Sequence, residues 1–507
     1  MKSLFESKLK FYIFIFFVGG LATFTVPPFS FFLFVFALGF GIYKISFIKS
    51  LKKSFLAGWT LGFGWFLFGL YWIGSAFIVA DTFHVYFMPV AVILLPSLLA
   101  IFWGVAFFLA KLLTKKQDCS IIMIVILLSL VEYLRAFIFT GFPWLMPSMV
   151  LSSNEYFIQT FSFVGSFGGN LVVIALSVLP FIITGNIHYK IVISLFFLIP
   201  IFILFILNFL RLNEKNLPKL KDQLITIVQP NIEQKDKWNI QKREIHLRKL
   251  VELSRQEIEQ KNYKNRLIIW PETSFAGVIP NEESILSSIA KNTLKNAKTK
   301  LVIGLLKVNQ NKIYNSLVFL NSSGEIIYEY DKLHLVPFGE YIPFRKNFTK
   351  IADFFSQQDF ASGTQIPNID LDGFGEIITL ICYEVLFSKE VNSRVTKDTN
   401  LLINITNDGW FGKTIGPYQH LALAKIRAVE LGLPLVRVAN TGISSFISPY
   451  GEEIAKIDLN NEGAKTLELV SGLRETNYKK FGDNIFFILI LILTVLQVII
   501  KNIKRVE

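Results

Sequence analysis

The chain has 507 residues, 52% of them hydrophobic and 51 of them phenylalanine, with a net charge of +13 and a mean hydropathy of +0.49. That mean excludes an ordinary soluble enzyme; the apolar residues crowd into the first part of the chain and one late block, the pattern of a membrane protein carrying a soluble domain. Two cysteines exclude a disulfide framework, and basic residues in short loops between apolar runs read as topology signals and contacts with anionic lipid, not as a nucleic-acid surface.

A helix needs about 20 mostly apolar residues to cross a bilayer. Candidates lie at 11–25, 31–45, 55–80, 88–112, 119–140, 157–184, 191–210 and 485–500. Pro27-Pro28 fits a tight hairpin between the first two. A signal peptide is the competing reading of the first run, but no small-residue cleavage site leads into a soluble domain, so it is taken as an anchor. Lys2, Lys8 and Lys10 precede the first span, Lys44, Lys49, Lys52 and Lys53 close the second, and Lys111, Lys115 and Lys116 close the fourth. Lys190 follows the sixth, and Lys501, Lys504 and Arg505 end the chain. The intervening loops around Pro27, 81–84 and 141–156 lack lysine. Basic loops face the cytoplasm, which places both termini there and the soluble block outside, in the periplasm of a bacterial inner membrane. Cys119 and Cys382 then lie on opposite sides and should not pair.

Within the spans, Glu132 and Arg135 stand three apart on one helix face, where a structural ion pair is the simplest reading. The aromatic segment Phe139-Thr-Gly-Phe-Pro-Trp-Leu145 that follows should sit at the outer interface. No chain of intramembrane carboxylates suggests an ion pathway, which counts against a transporter.

From 218 to 480 the pattern changes to short β-rich runs alternating with helices, an α/β domain. Strands are expected at 224–229, 266–270, 300–306, 316–321, 325–330, 376–382, 400–406, 433–439 and 444–448, and helices at 242–261, 282–296 and 418–431. The domains are accordingly 1–212 with seven spans, 218–480, and 485–507 with one span and a short tail. There is no Walker loop, dinucleotide turn or zinc-spaced Cys/His set, and the five histidines do not cluster. Neither a metal nor another cofactor is expected.

Three stretches carry chemistry. Leu380-Ile-Cys-Tyr-Glu-Val-Leu-Phe387 delivers Cys382 at a strand end, Trp270-Pro-Glu-Thr-Ser-Phe275 delivers Glu272, and Tyr330-Asp-Lys-Leu-His-Leu-Val-Pro-Phe-Gly-Glu-Tyr341 delivers Lys332. A lone cysteine is most often a small buried hydrophobe. A free thiol, with a pKa of about 8.5, needs activation at neutral pH. A carboxylate can take its proton, and an ammonium can stabilise first the thiolate and then a tetrahedral oxyanion. That kit suits acyl transfer through a thioester.

The order Glu, Lys, Cys in these motifs resembles the nitrilase (carbon-nitrogen hydrolase) superfamily. The apolar spans, G-E-Y-I-P at 339–343, N-D-G-W-F-G at 407–412, P-Y-Q-H at 417–420, A-N-T-G-I-S at 439–444 and T-G-F-P-W at 140–144 resemble the apolipoprotein N-acyltransferase family. The resemblance implies an αββα nitrilase-like sandwich on a bundle of about eight spans. It implies transfer of an acyl chain from a phospholipid, usually phosphatidylethanolamine, to the α-amino group of the diacylglyceryl-modified cysteine of apolipoproteins. It further implies Glu272 as base, Lys332 as stabiliser of thiolate and oxyanion, and Cys382 as nucleophile. Glu340, Tyr383 and Glu384 match supporting positions, and Trp238 a tryptophan on a mobile arm over the entrance. The plainer readings are a salt bridge for Glu340, support behind the site for Tyr383 and Glu384, and a solvent-side ring for Trp238. Asn407-Asp-Gly and His420 are equally suited to fixing the loop around Cys382 and to touching substrate. An anchored amidase with water as acceptor keeps the same chemistry, but needs no bundle of spans.

Overall fold

The computed structural model describes residues 8–80, 83–114, 117–185, 189–256, 265–294, 296–347, 349, 358–364, 368–473 and 475–506. Lys2, Lys115, Lys116 and the end of the helix expected at 242–261 lie outside the described residues. The chain divides into two compact units, one of Met1–Gly74, Tyr86–Lys215 and Thr476–Glu507, the other of Ser75–Val85 and Asn216–Glu475.

The first unit is helical. Among the described residues four helices are long and apolar enough to cross a membrane: Leu51–Val79, His84–Leu113, Phe157–Thr184 and Lys190–Asn213. Shorter apolar helices cover Leu9–Thr25, Phe32–Ser46 and Asn484–Ile500, and a further helix runs Gln117–Arg135. All the expected segments are therefore helical, but only four meet the length and hydropathy of a crossing. In the segment expected at 119–140 the helix ends at Arg135, and beyond it Phe139 and Thr140, at positive φ values of 56° and 75°, turn the chain. Helices Lys8–Ala22 and Leu51–Leu70 meet backbone to backbone: a Cβ on Gly19 would lie 2.1 Å from the Leu61 carbonyl oxygen, and one on Gly64 2.0 Å from that of Phe16. Small residues permit such close approach, which raises dispersion contact where lipid offers no hydrophobic drive.

Glu132 and Arg135 form a buried ion pair at 2.5 Å. Trp103 Nε1 donates to Glu132 at 2.8 Å, and Arg135 also donates to the carbonyls of Trp144, at 3.0 Å, and Phe142. The pair is thus the structural brace of the Phe-Pro-Trp turn, fully partnered within its own unit.

The second unit is a sandwich. One sheet has the order β13-β1-β2-β4-β5-β6, with β3 paired to β4 off this path; the other runs β12-β11-β10-β9-β8-β7. The first comprises β1 (Lys219–Gln229), β2 (Asn265–Ile269), β3 (Val278–Ile279), β4 (Thr299–Asn309), β5 (Lys312–Leu320), β6 (Ile326–Asp331) and β13 (Gly463–Val470). The second comprises β7 (Ile369–Leu371), β8 (Gly375–Ile381), β9 (Thr399–Thr406), β10 (Leu435–Ala439), β11 (Ser444–Ile447) and β12 (Glu453–Ile457). Side chains alternate across each strand. Ile225, Ile227, Leu267, Ile269 and Val302 meet Ile377, Ile381, Leu401, Ile403 and Val436 in the layer between the sheets. On the outer face of the first sheet, Ile268, Leu301 and Ile303 meet Leu250, Leu253, Leu286 and Ile289 of helices Ile240–Gln256 and Glu283–Thr293. Helix Gly416–Leu431 packs on β10 in the second sheet, which gives the layers α, β, β, α.

Candidate active site

Three strand ends converge. β2 and the following Trp270-Pro271 lead into a turn carrying Glu272, which packs on bare backbone: a Cβ on Gly304 of β4 would lie 2.5 Å from the Pro271 carbonyl oxygen and 2.7 Å from the Glu272 Cα. Only glycine lets the turn sit so close. Lys332 follows β6 directly, its N–H donating to the Asn315 carbonyl of β5 at 2.8 Å. Cys382 follows β8 and opens a 3₁₀ turn, Cys382–Leu386, with φ at +53°. A β-substituted residue in that region is strained and persists only where its surroundings hold it.

The charged half of the site is a tight network. Asn315 Nδ2 donates to Glu272 Oε1 at 2.7 Å and to Glu340 Oε1 at 2.9 Å. Lys332 Nζ donates to Glu340 Oε1 at 2.9 Å and stands 3.7 Å from Glu272 Oε1. The other Glu340 oxygen accepts from the Val336 N–H at 2.7 Å. Burial acts to lower the Lys332 pKa, but Glu340, Glu272 and Cys382 together hold it well above the ordinary lysine value. Lys332 is therefore a fixed positive charge. Glu340 is its closer partner, which leaves Glu272 the more available carboxylate.

The Cys382 turn is held from behind. The Cys382 carbonyl accepts from Asn404 Nδ2 at 3.3 Å and lies 3.3 Å from His420 Nε2. His420 Nδ1 is 2.9 Å from Asp408 Oδ1, and Arg437 donates to Asp408 Oδ2 at 2.7 Å and Asn404 Oδ1 at 2.6 Å. All four side chains are buried. Burial and Arg437 hold the His420 pKa below the usual histidine value against the pull of Asp408. For Asp408, Arg437 and His420 outweigh burial and keep the carboxylate below its ordinary range. Burial pushes the Cys382 thiol up to about 12, with Glu272 and Asp408 acting in the same direction and Lys332 and a hydrogen bond with Thr406 opposing them. The resting thiol is protonated.

Comparison with known proteins places this arrangement. A model of the carbon-nitrogen hydrolase family matches residues 224–478, and one of the apolipoprotein N-acyltransferase N-terminal domain matches residues 18–179. An apolipoprotein N-acyltransferase of Rhodopseudomonas palustris is 34% identical over 456 residues, covering 86% of this chain and 84% of the relative. The chain belongs to the apolipoprotein N-acyltransferase family. A relative of the same name from Rhizobium etli is 33% identical over 485 residues, covering 88% and 87%. Two solved structures are similar at a TM-score of 0.38: Saccharomyces cerevisiae Nit3, a nitrilase-superfamily member, at 20% identity over 50% of this chain and 91% of its own, and an amidase from Nesterenkonia sp. at 19% over 52% and 95%.

The remaining positions singled out by the sequence of this N-acyltransferase-family chain divide by what they touch. Glu384 is buried and ties the Lys332 loop to the Cys382 turn. Its Oε1 accepts from Tyr330 Oη at 2.9 Å and from the N–H groups of Leu333 at 2.7 Å and His334 at 3.2 Å, and its Oε2 from Ile381 N–H at 2.6 Å. Burial raises its pKa. The buried Tyr383 packs edge-on to Phe387 at 5.1 Å and near the His334 ring at 5.7 Å. Trp238 is 46% exposed. Asn407 fixes its own turn, accepting from Gly409 N–H at 3.3 Å, and donates to Gln234 at 2.7 Å. His420 and Asp408 likewise frame the Cys382 loop. Sequence reasoning missed Asn315, Asn404 and Arg437, whose places depend on which strands lie side by side. It also missed Lys237, buried and donating from Nζ to the Glu272 carbonyl at 3.0 Å. The run of charge before Trp238 hid it among solvated neighbours.

Proposed function

We propose that the chain is a membrane enzyme of the bacterial inner membrane that moves an acyl chain from a phospholipid to the N-terminal α-amino group of a diacylglyceryl-modified apolipoprotein cysteine. The observation that carries this reading is the meeting of Cys382 with the Glu272–Lys332–Glu340 network, in a chain of this family that also bears long apolar helices. The relatives' name supplies the reaction class. Phosphatidylethanolamine is the expected donor. The lysine pattern of the loops supports a periplasmic catalytic domain between cytoplasmic termini. The soluble domain proposed is 218–480, between apolar segments 1–212 and 485–507.

Glu272 takes the proton of the Cys382 thiol. That transfer erases the Glu272 charge that opposes the thiolate and leaves the attraction of Lys332, so one event lifts the repulsion and arms the sulfur. The thiolate attacks the ester carbonyl of the lipid, and the Lys332 ammonium stabilises the oxyanion. Collapse expels the lysophospholipid oxygen, which takes the proton from Glu272, and leaves a thioester. The neutral α-amino nitrogen of the acceptor then attacks, Glu272 takes its surplus proton, and the C–S bond breaks to give the amide and a Cys382 sulfur that takes that proton back from Glu272, restoring thiol and carboxylate. The covalent intermediate lets one site serve two bulky lipid-bearing substrates in turn.

The test is single-turnover release of lysophospholipid from acyl-labelled phosphatidylethanolamine without acceptor. The expected result is a stoichiometric burst with hydroxylamine-sensitive label on Cys382, discharged on adding a lipid-modified cysteine peptide. A reaction that needs both substrates together, with no burst, overturns the covalent reading.

A further inference from the structure

Beyond the Glu272, Lys332 and Cys382 set, the site contains a second buried lysine. Lys237 is 3% exposed, and its Nζ donates to the backbone carbonyl of Glu272 at 3.0 Å. The charges that act on its ammonium are those of Glu272 and Cys382, and burial takes it down to about 8. A lysine is rarely buried without a task for its charge, since desolvation disfavours the ammonium. Here the direct partner is a main-chain oxygen, and a charged donor holds it roughly twice as strongly as a neutral one would, which suits a turn that must be kept in place beside ionisable groups.

The segment that carries Lys237 is anchored independently. The Asn231 N–H donates to the Asn440 carbonyl at 3.1 Å, Asn440 Nδ2 donates to the Ile232 carbonyl at 2.9 Å, and Gln234 accepts from Asn407 at 2.7 Å. Fold retention thus does not depend on Lys237 alone. What Lys237 adds is a link between the Glu272 turn and this segment, on which the next residue is the half-exposed Trp238.

We infer that Lys237 is a positioning residue that holds the Glu272 turn, and with it the Glu272 carboxylate, at the distance and orientation from which it takes the Cys382 proton. This assignment rests on Glu272 acting as the base. Losing a charged donor to the Glu272 carbonyl frees the turn that Thr273, at φ +44°, already holds in a strained state. The carboxylate then samples positions away from the thiol, and Cys382 is activated less often.

The test is alkylation of Cys382 by iodoacetamide, followed by mass spectrometry on the Cys382 peptide of the full-length detergent-solubilised protein. Rates are measured between pH 7 and 9 for wild-type, K237M, E272Q and the double variant, with thermal melting of each as the check of folding. This readout needs no lipid or acceptor, so it is independent of the acyl-transfer reading. K237M should slow alkylation by about tenfold or more, the loss expected for a hydrogen bond made by a charged group. In the E272Q background the same change should cost less than about twofold, because a residue that acts through Glu272 has nothing left to position. Equal fold-slowing in the two backgrounds, or K237M alkylated at the wild-type rate while E272Q is slowed, overturns the assignment. E272Q alkylated at the wild-type rate or faster refutes the base reading itself. If K237M does not fold, K237A, which likewise removes both donor and charge, runs the same cycle.

Discussion

Glu384 separates two roles that a carboxylate beside a nucleophile can play, and Glu384→Gln distinguishes them. The carboxylate accepts four hydrogen bonds, three of them at Oε1 and one, from Ile381 N–H, at Oε2. An amide that keeps its oxygen at the Oε1 place retains the three and turns an NH₂ toward the Ile381 N–H, donor against donor. A buried donor left unpaired costs about 1–3 kcal/mol. The three retained bonds also lose their charge assistance. Relief from burying a charge, seen in the raised Glu384 pKa, offsets part of this. The net loss is about 2–4 kcal/mol, which for a domain of this size corresponds to a melting point roughly 5–15 °C lower. Thermal melting of the solubilised protein, followed by susceptibility of the α/β domain to proteolysis, measures it. Single-turnover lysophospholipid release, run well below the melting point, should stay within about tenfold of wild type, since the positioning is loosened but the chemistry intact. An unchanged melting point with acyl-enzyme formation abolished would refute this reasoning and make Glu384 a participant in proton transfer.

Glu272→Gln should leave the protein folded and slow acyl-enzyme formation by roughly 10²–10⁴-fold, read by hydroxylamine-sensitive label on Cys382; near-normal thioester formation would reduce Glu272 to a structural part. Alkylation of Cys382 in the lipid-free protein should keep rising beyond pH 9, since burial pushes the thiol up to about 12; a plateau below pH 9 contradicts that. The folded thiol holds its proton where an unfolded one has lost it, so its contribution to stability is present below about pH 9 and is lost as pH rises toward 12. His420 has the opposite sign: its folded pKa is lowered, the unfolded chain takes up the proton first, and stability falls as pH drops below the usual histidine value of 6.5. His420→Gln should flatten the melting-point loss between pH 7 and pH 5, and an unchanged slope would show that other groups set acid sensitivity.

The apolar helices were legible because hydropathy over about 20 residues is a strong signal, and the strands of the sandwich interior because they are short apolar runs. The missed strands have two causes. In β12 and β13 buried positions are few, and Lys456, Glu453, Lys465 and Glu468 break any apolar run, so their pairing with β11 and β1 is a tertiary fact. β3 and β7 are too short to show a period. Among the site residues, Glu272, Lys332 and Cys382 stood out because each sits in a motif at a strand end, and the structure brings all three into one electrostatic neighbourhood. Asn315 did not, because an asparagine inside β5 acquires its meaning only when β5 lies beside β6 and under the Glu272 turn. Arg437 reads in sequence as a charge in a strand; only burial against Asp408 and Asn404 makes it the support of the Cys382 turn.

Glu272 and Lys332 stand at the ends of β2 and β6 in one sheet, whereas Cys382 ends β8 in the other. A half-assembled domain therefore holds Cys382 apart from the charges of Glu272 and Lys332, and its reactivity is that of any cysteine. The first sheet, moreover, is completed only when β13 docks on β1, a pairing in which the hydroxyls of Thr226 and Thr466 meet at 2.7 Å. Contacts so distant in sequence form late. Until the two sheets close on each other Cys382 is thus an ordinary thiol of pKa about 8.5, more easily ionised than the buried one of the finished domain, and assembly itself withdraws it from untimely chemistry.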